Sequence, residues 1–296
     1  MNRREAGFLL LTSHLGDPRR KPLTAAQLRT LSQRMRAMEK PADDRELTAR
    51  DLVSLGYGWD MAEHICALLS EEELLDYYLQ QGKKAGCLPV TRVSSRYPQL
   101  LHRRLGLDSP GCLWCKGDMD LLSSPAIALV GSRDLQEPNR EFARAVGIYA
   151  ARQGLALVSG NARGADKTAQ NACLSAGGKV ISIVADGLTE KPETENLLYV
   201  SEDGFAEAFS AQRAISRNRC IHALGQVVFV AQAALGKGGT WDGTLKNLCK
   251  GISPVLCFRD GSEASKELEQ LGAYLIGAHQ LSEFEELSQT NSFFDR

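Results

Sequence analysis

Four short segments of the sequence combine glycine with cationic or hydroxyl side chains in a pattern that suits phosphate binding. They are VGSRD (130–134), SGNARGAD (159–166), RAISRNRCIHALG (213–225) and GKGGTWDGT (236–244). Glycine lets backbone amides approach an anion closely, and the arginine fork matches the oxygens of a phosphate. The candidate phosphate-binding residues are Gly131, Ser132, Arg133, Ser159, Gly160, Arg163, Gly164, Asp166, Arg217, Asn218, Arg219, Lys237, Gly239 and Thr240.

The charges around the third segment favour a long anionic ligand. Residues 209–240 contain no acidic side chain, whereas a solvated helix face normally mixes both signs. The cations of this stretch are Arg213, Arg217, Arg219 and Lys237. The net charge of the whole chain is −1, so any polyanion site must come from such local clustering. Asp166 has two open interpretations, a contact in the site or a cap of the following helix.

The sequence shows no pattern of a catalytic centre, a cofactor site or a metal site. The dinucleotide fingerprint G-x-G-x-x-G and the P-loop pattern G-x-x-x-x-G-K-[ST] are both missing. The five histidines are scattered, and no pair of carboxylates stands out in the glycine-rich segments. Cys112 and Cys115 form one CxxC without the further ligands that zinc requires, so we interpret them as apolar side chains of a strand. We therefore predict no catalytic residue, no cofactor and no metal.

The elements that position these segments follow an alternating pattern of apolar strands and helices. The predicted strands are Ala126–Val130, 155–159, 180–184, 227–231 and Val255–Phe258. The predicted helices are 139–153, 167–176 and 241–250. Runs that are apolar on both faces and separated by helices indicate an α/β fold, an extended Rossmann-like, doubly wound and mostly parallel sheet. In such a sheet the ligand lies beyond the carboxyl ends of the strands, where the four segments occur.

The domain organisation predicted from composition has three parts. Residues 1–85 form a small all-helical domain, with Thr48 capping one of its helices, residues 86–285 form the Rossmann-like domain, and residues 286–296 form a tail. The apolar run near the N-terminus is too short for a secretory signal, and no stretch is long enough to span a membrane. We therefore predict a cytoplasmic protein with reduced cysteines and no membrane partner.

Several motifs of the second domain resemble the DNA-processing protein A (DprA/Smf) family. The segment SRYPQLLHRRLGLDSPGCLWCKGDMDLL, followed by AIALVGSRD, resembles the family's entry segment and first strand. SGNARGAD is similar to its SG-x-A-x-G-x-D motif, and RNRCIHAL is similar to its RNR-I-x-x-L segment. The resemblance covers about residues 90–280 in order. As an ensemble these motifs are specific for the family.

The resemblance implies a non-catalytic protein that binds single-stranded DNA. It also implies a Rossmann domain preceded by a helical domain of SAM or helix-hairpin-helix type, and self-association, which we take to be a dimer. The implied partners are RecA recombinase, loaded onto strands coated with single-strand-binding protein during natural transformation. By motif position the resemblance places a phosphate-binding pocket at Gly131–Arg133, Ser159, Gly160, Gly164, Asp166 and Arg217–Arg219.

Two other functions stay open at this point. The loop GKGGTWDGT is similar to the PGG-x-GT of nucleotide-processing relatives with the same fold but lacks their catalytic Glu. This favours a sensor or hydrolase of a nucleotide or an ADP-ribose-like ligand, with a role in genome defence. A purely structural scaffold would explain the fold but not the converging cations. Trp241 could stack on a base, although packing in the core is the favoured interpretation.

Overall fold

The computed structural model describes residues 1–36 and 46–281, and the strands of this part form a single sheet. The predicted tail 286–296 and the last residues of the predicted Rossmann-like domain lie outside the described residues. The strands are β1 (Leu88–Thr91), β2 (Cys112–Gly117), β3 (Ala126–Val130), β4 (Ala156–Ser159), β5 (Lys179–Ile183), β6 (Leu197–Ser201), β7 (Val228–Val230), β8 (Val255–Phe258) and β9 (Tyr274–Ile276).

The order of the strands is that of a doubly wound Rossmann-like sheet. Along the sheet they run β1-β2-β6-β5-β4-β3-β7-β8-β9. The pairs β1–β2 and β2–β6 are antiparallel, and all the pairs from β6 to β9 are parallel. The chain passes outward from β3 to β4, β5 and β6, and then returns to the other side of β3 as β7. The order therefore reverses between β3 and β7, which places the ligand-binding crevice of such folds there. The predicted fold class is confirmed.

Helices cover both faces of the sheet and form the N-terminal part of the chain. They are α1 (Arg3–Thr12), α2 (Ala25–Arg36), α3 (Ala49–Ser54), α4 (Trp59–Leu69), α5 (Glu72–Lys84), α6 (Gln99–Leu105), α7 (Glu137–Arg152), α8 (Ala165–Ser175), α9 (Ala211–Ser216), α10 (Asn218–Leu224), α11 (Gly238–Lys250) and α12 (Glu263–Gln270). Thr48 caps α3 as predicted, with its side chain accepting a hydrogen bond from the amide of Asp51. The predicted helices 139–153, 167–176 and 241–250 correspond to α7, α8 and α11, with ends that differ by at most three residues.

The apolar core has one layer on each face of the sheet and a smaller third cluster in the N-terminal helices. Leu9 of α1 and Tyr78 of α5 belong to the same layer as Trp114 of β2. The rings of Tyr78 and Trp114 meet edge to face at 5.2 Å between centroids. The helical part is therefore packed onto the sheet, and it also has its own cluster around Leu52 and Ile65.

Three further observations concern membrane, metal and cysteine chemistry. In residues 1–36 and 46–281, no helix is both long and apolar enough to cross a membrane. No cluster of His, Cys, Asp or Glu in this described part could hold a metal ion. Cys112 and Cys115 lie buried in β2 as apolar strand residues, which confirms their interpretation. Burial raises the pKa of both thiols, so they stay protonated.

Candidate phosphate-binding site

The glycine-rich segments meet at the carboxyl ends of β3 and β7 and enclose a cavity of about 470 Å³, here called the phosphate cavity. It lies at the reversal of strand order, where the fold predicts a ligand. Its lining includes the N-termini of α8 and α11 and the junction between α9 and α10. The predicted residues that line it are Gly131, Ser132, Arg133, Asp166, Arg217, Asn218, Lys237, Gly239 and Thr240.

Two cations of the phosphate cavity are available to a ligand. Arg133 follows β3 and Lys237 precedes α11, and both side chains are exposed to solvent. Neither forms a hydrogen bond or an ion pair through its side chain with another residue of the described ranges. Because exposed cations without acidic partners attract anions, these two side chains give the cavity its positive charge. The acid that lines the cavity, Asp166, is buried against a third cation.

The N-terminus of α11 adds a second feature that favours an anion. The helix spans 13 residues, and its N-cap residue Lys237 makes no side-chain capping bond. The first amides of a helix have no partner within the helix, and they sit at the positive end of its dipole. Here they belong to Gly238, Gly239 and Thr240, which all line the cavity. A phosphate at this position would accept hydrogen bonds from these amides.

Arg217 is buried and links its own segment to the segment SGNARGAD through Gly160 and Asp166. Its Nη2 donates a hydrogen bond to the carbonyl oxygen of Gly160 at 2.9 Å and lies 4.0 Å from Oδ2 of Asp166. A Cβ on residue 160 would fall within 2.2 Å of the guanidinium, so only glycine permits this approach. Burial lowers the pKa of Arg217 and raises that of Asp166, while the attraction between the two charges opposes both shifts. In the described part of the chain, Nε of Arg217 has no hydrogen-bond partner.

The loop after β3 is fixed by backbone hydrogen bonds. The amide of Ser132 donates to the carbonyl of Gln232, and the carbonyl of Ser132 accepts from the amide of Ala165. The amide of Ser132 is therefore occupied and is not available to an anion. Gly164, with φ of +86°, lies behind this loop, where a Cβ would come within 2.4 Å of the Ser132 and Arg133 carbonyl oxygens. These contacts hold Arg133 at the edge of the cavity.

The remaining predicted residues have other positions. Gly160 and Arg163 line an adjoining cavity of about 390 Å³, which shares Arg133 and Arg217 with the phosphate cavity. Arg163 pairs with Asp134 at 2.7 Å in full contact with solvent, and such exposed pairs hold only weakly. Ser159 is fully buried, as is Thr244 at the end of the segment GKGGTWDGT, so neither hydroxyl faces a ligand. Asp166 is not the N-cap of α8; its Oδ2 accepts from the amide of Ala162 at 3.1 Å.

Two aromatic side chains near the site differ in their exposure to solvent. Trp241 is buried in the core, as favoured, and cannot stack on a ligand. Phe209, which is not among the predicted site residues, is 58% exposed and lines the adjoining cavity. It precedes α9, in the acid-free stretch. A large exposed aromatic beside a cationic cavity is the signal that identifies it, and this signal exists only in the structure.

Arg219 does not line the phosphate cavity, although it lies two residues from Arg217. Its guanidinium pairs with the carboxylate of Glu202 through two hydrogen bonds, at 3.1 and 2.5 Å, and its Nε donates to the carbonyl of Asp108. Side chains two positions apart on a helical segment point in different directions, which explains the separation. Arg219 instead faces a cavity of about 660 Å³, here called the lateral cavity.

The lateral cavity contains a buried histidine whose tautomer is defined by its neighbours. Oδ1 of Asn247 accepts from the backbone amide of Ser253 at 2.8 Å, so Nδ2 of Asn247 is the atom that faces Nδ1 of His222 at 3.0 Å. Because Nδ2 can only donate, Nδ1 must accept, and the proton of the neutral ring resides on Nε2. Within the described residues this Nε2 has no hydrogen-bond partner, although His222 is 1% exposed.

The burial of His222 predicts a loss of stability in mild acid. Burial, with a smaller contribution from Arg217, lowers its pKa from 6.5 to about 4. The unfolded chain therefore takes up the proton first, and stability is lost as pH falls from about 6.5 toward 4, by roughly 3 kcal/mol in total. Urea unfolding at pH 7 and pH 4.5 should show a larger loss for the wild type than for His222→Gln. Equal losses in the two proteins would contradict the burial of an unprotonated ring.

The order of the strands defines a Rossmann-like α/β protein. Its cationic cavity lies where the strand order reverses, and the lining of this cavity suits an anion. The model of the family described as DNA recombination-mediator protein A matches residues 89–279. The chain belongs to this family, which confirms the resemblance to DprA/Smf proteins.

Relatives in both sequence and structure agree with this assignment. The DNA processing protein DprA of Streptococcus pneumoniae is 32% identical over 193 residues, which is 60% of this chain and 68% of that protein. Protein Smf of Escherichia coli is 34% identical over 152 residues and is covered over 40% of its length. The X-ray structure of S. pneumoniae DprA superposes with a TM-score of 0.73 at 24% identity, over 96% of this chain and 99% of that one. This likeness shows that the two proteins share a fold.

Proposed function

We propose that this protein binds single-stranded DNA without catalysing a reaction on it, and that backbone phosphates occupy the phosphate cavity. The proposal rests on one observation: two exposed cations, Arg133 and Lys237, which make no ion pair within residues 1–36 and 46–281, share a cavity with the uncapped N-terminus of α11. This arrangement binds phosphate by charge and by backbone amides, which read no base. A structural relative from Helicobacter pylori, with a TM-score of 0.57 at 23% identity over 69% of this chain and 96% of that one, is described by its single-stranded DNA binding mode.

Exposed apolar side chains around the cavities support a single strand rather than a duplex. Phe209, Ile215 and Leu235 are each about half exposed, at 58%, 48% and 49%. Phe209 and Ile215 line the two cavities that contain Arg133 and Arg217. Unpaired bases can stack on the ring of Phe209 and contact the aliphatic side chains, whereas the bases of a duplex are already stacked on each other. Exposed cationic side chains next to exposed apolar side chains are typical of proteins that bind single strands.

Phe209→Ala is expected to lower the affinity for single-stranded DNA roughly tenfold, because stacking of one base on an aromatic ring contributes about 1–3 kcal/mol. Fluorescence anisotropy with a labelled oligonucleotide measures the effect. The matched control is Tyr77→Ala, which removes an aromatic ring that is 62% exposed on α5 and lies outside these cavities. The control should bind like the wild type. Equal affinity of Phe209→Ala and wild type would show that the ring does not contact the strand.

The absence of catalysis is part of the proposal. The carboxylate in the lining, Asp166, is 6% exposed and lies beside Arg217, so it is not free to act as a general base at a ligand. His222 belongs to the lateral cavity, and Arg219 is bound to Glu202. The function of the phosphate cavity is therefore to hold an anion in place.

Membership of the family supports a role in recombination. We propose that the protein acts as a dimer on single strands coated with single-strand-binding protein and helps to load a recombinase of the RecA type. Direct evidence would come from pull-down of the recombinase by the full chain, and from its mass in solution with and without DNA. A monomeric protein that retains no recombinase would refute this part and leave DNA binding unaffected.

Competition experiments test the proposed ligand class. A labelled single strand is titrated with the protein, and then challenged with unlabelled single strand, duplex DNA, ATP and ADP-ribose. We expect displacement by the single strand at stoichiometric excess and little displacement by the others. Strong displacement by ATP or ADP-ribose would favour the nucleotide sensor instead, and no binding of the labelled strand would refute the proposed function.

A further inference from the structure

The adjoining cavity lies beside the phosphate cavity and is not explained by a single bound phosphate. The two cavities share Arg133 and Arg217 in their linings. Two further cations line the adjoining cavity, Arg163 before α8 and Lys191 after β5, together with the exposed ring of Phe209. Cations that line a concave surface attract anions. Because the linings are continuous, a strand with one phosphate in the phosphate cavity can place a neighbouring phosphate in the adjoining cavity.

The two further cations are already paired with carboxylates. Nη2 of Arg163 donates a hydrogen bond to Oδ1 of Asp134 at 2.7 Å, and Nζ of Lys191 donates to Oδ2 of Asp186 at 2.5 Å. Arg133 differs from them, because it makes no ion pair with any residue of the described ranges 1–36 and 46–281. An anion that enters the adjoining cavity must therefore compete with two carboxylates for its cations.

The pair of Arg163 and Asp134 is open to this competition. Its side chains are 76% and 85% exposed, and exposed ion pairs are weak because water and salt screen them. A guanidinium can bind a phosphate through two parallel, charge-assisted hydrogen bonds. A phosphate of the strand therefore displaces the carboxylate, but the affinity is lowered by the contact that is lost.

The backbone of Asp134 is held in place, so its carboxylate stays near Arg163 when the pair opens. The amide of Asp134 donates to Oγ of Ser132 at 3.2 Å, and its carbonyl accepts from Nε2 of Gln232 at 3.2 Å. The longer side chain of Arg163 makes no second hydrogen bond within the described part of the chain. The arginine can therefore turn toward the strand, while the negative charge of Asp134 continues to repel a phosphate.

We propose that Asp134 and Asp186 limit the affinity of this protein for single-stranded DNA by holding Arg163 and Lys191, with which the adjoining cavity binds a second phosphate of the strand. This inference rests on the proposed function and adds competing carboxylates to it. Replacement of either carboxylate by the isosteric amide removes the negative charge and therefore strengthens binding. Damage to the fold would weaken binding instead, so the sign of the effect is diagnostic.

The test measures the affinity of the full chain for labelled poly-dT by fluorescence anisotropy. We expect Asp134→Asn and Asp186→Asn each to bind about threefold more tightly than the wild type, since each removes one competing ion pair. The matched control is Glu141→Gln on α7, which removes one negative charge from an exposed pair with Arg144 outside both cavities. The control should bind like the wild type at about 0.15 M salt. Thermal unfolding confirms that the variants are folded.

A double-mutant cycle assigns the effect to the proposed contact. Arg163→Ala should lower the affinity and reduce the magnitude of the salt slope by about 0.7, the contribution of one phosphate. In the Arg163→Ala background, Asp134→Asn should change the affinity by less than about 1.5-fold, because the cation that it would release is gone. A threefold gain that survives in this background would refute the competition for Arg163.

Each other outcome overturns a defined part of the proposal. Unchanged or weaker binding in Asp134→Asn or in Asp186→Asn refutes the competing role of that carboxylate and leaves the phosphate cavity standing. An equal gain in Glu141→Gln would show that overall charge causes the effect. A gain that inorganic phosphate abolishes while the strand stays bound would identify a free anion as the occupant of the adjoining cavity and refute the second strand phosphate. Failure of poly-dT to bind any variant or the wild type refutes the proposed function itself.

Discussion

Arg133→Ala and Lys237→Ala are each expected to lower the affinity for single-stranded DNA about tenfold, whatever the base composition. Each removes a charge-assisted contact to a phosphate, which contributes on the order of 1.5 kcal/mol. Both side chains line the phosphate cavity, are exposed and have no acidic partner in the described ranges, so little else in the fold depends on them. Anisotropy titrations with poly-dT and poly-dA at one salt concentration measure the change.

Two other arginines provide controls for this prediction. Arg144 is exposed on α7, pairs with Glu141 and lies outside the phosphate cavity, so Arg144→Ala should bind like the wild type. Arg219→Gln tests a position for which the sequence motif and the structure give different expectations. The motif alone predicts that removal of the Arg219 side chain weakens DNA binding as much as Arg133→Ala does. Because the guanidinium of Arg219 is already paired with Glu202, we expect Arg219→Gln to change the affinity for single-stranded DNA by less than about twofold. A tenfold loss in Arg144→Ala would show that overall charge, and not this cavity, binds the strand.

Arg217→Met is expected to lower the free energy of unfolding by about 3 kcal/mol, because it leaves a buried carboxylate without its cation. Asp166 is 6% exposed, and the same substitution removes the donor to the Gly160 carbonyl. Urea unfolding at pH 7 measures the loss. The double variant Arg217→Met with Asp166→Asn should recover part of it, since the uncompensated charge is gone. A loss below about 1 kcal/mol in the single variant would contradict the account of a buried ion pair.

Much of the sheet could be predicted because its strands are apolar on both faces. The strands β3 and β8 were predicted with the observed ends, and β4, β5 and β7 within two residues. The strands β1, β6 and β9 were not predicted, and for β6 there is a physical reason. It follows β5 in parallel, yet the connection from Val184 to Asn196 contains no helix, so the alternation of strands and helices fails there. The short α9 and α10 were missed because the break at Arg217 separates them.

The site was predictable at the level of segments but not of side chains. Strand ends in a parallel sheet meet at one edge, which brings Gly131, Lys237 and Arg217 together as expected. The direction of each side chain depends on packing that the spacing does not specify. Arg217 and Arg219 therefore separate into two cavities, and Phe209 rather than Trp241 is exposed. The partner of His222, Asn247, lies 25 positions away, so the tautomer could be inferred only from the structure.

The salt dependence of binding tests the central claim most directly. Each phosphate neutralised on a single strand contributes about −0.7 to the slope of log affinity against log salt concentration. Wild type and the double variant Arg133→Ala with Lys237→Ala are titrated with poly-dT at several salt concentrations. We expect a steep slope for the wild type and a slope reduced by about 1.4 in magnitude for the double variant. An unchanged slope would contradict the claim that these two cations of the phosphate cavity bind the DNA backbone.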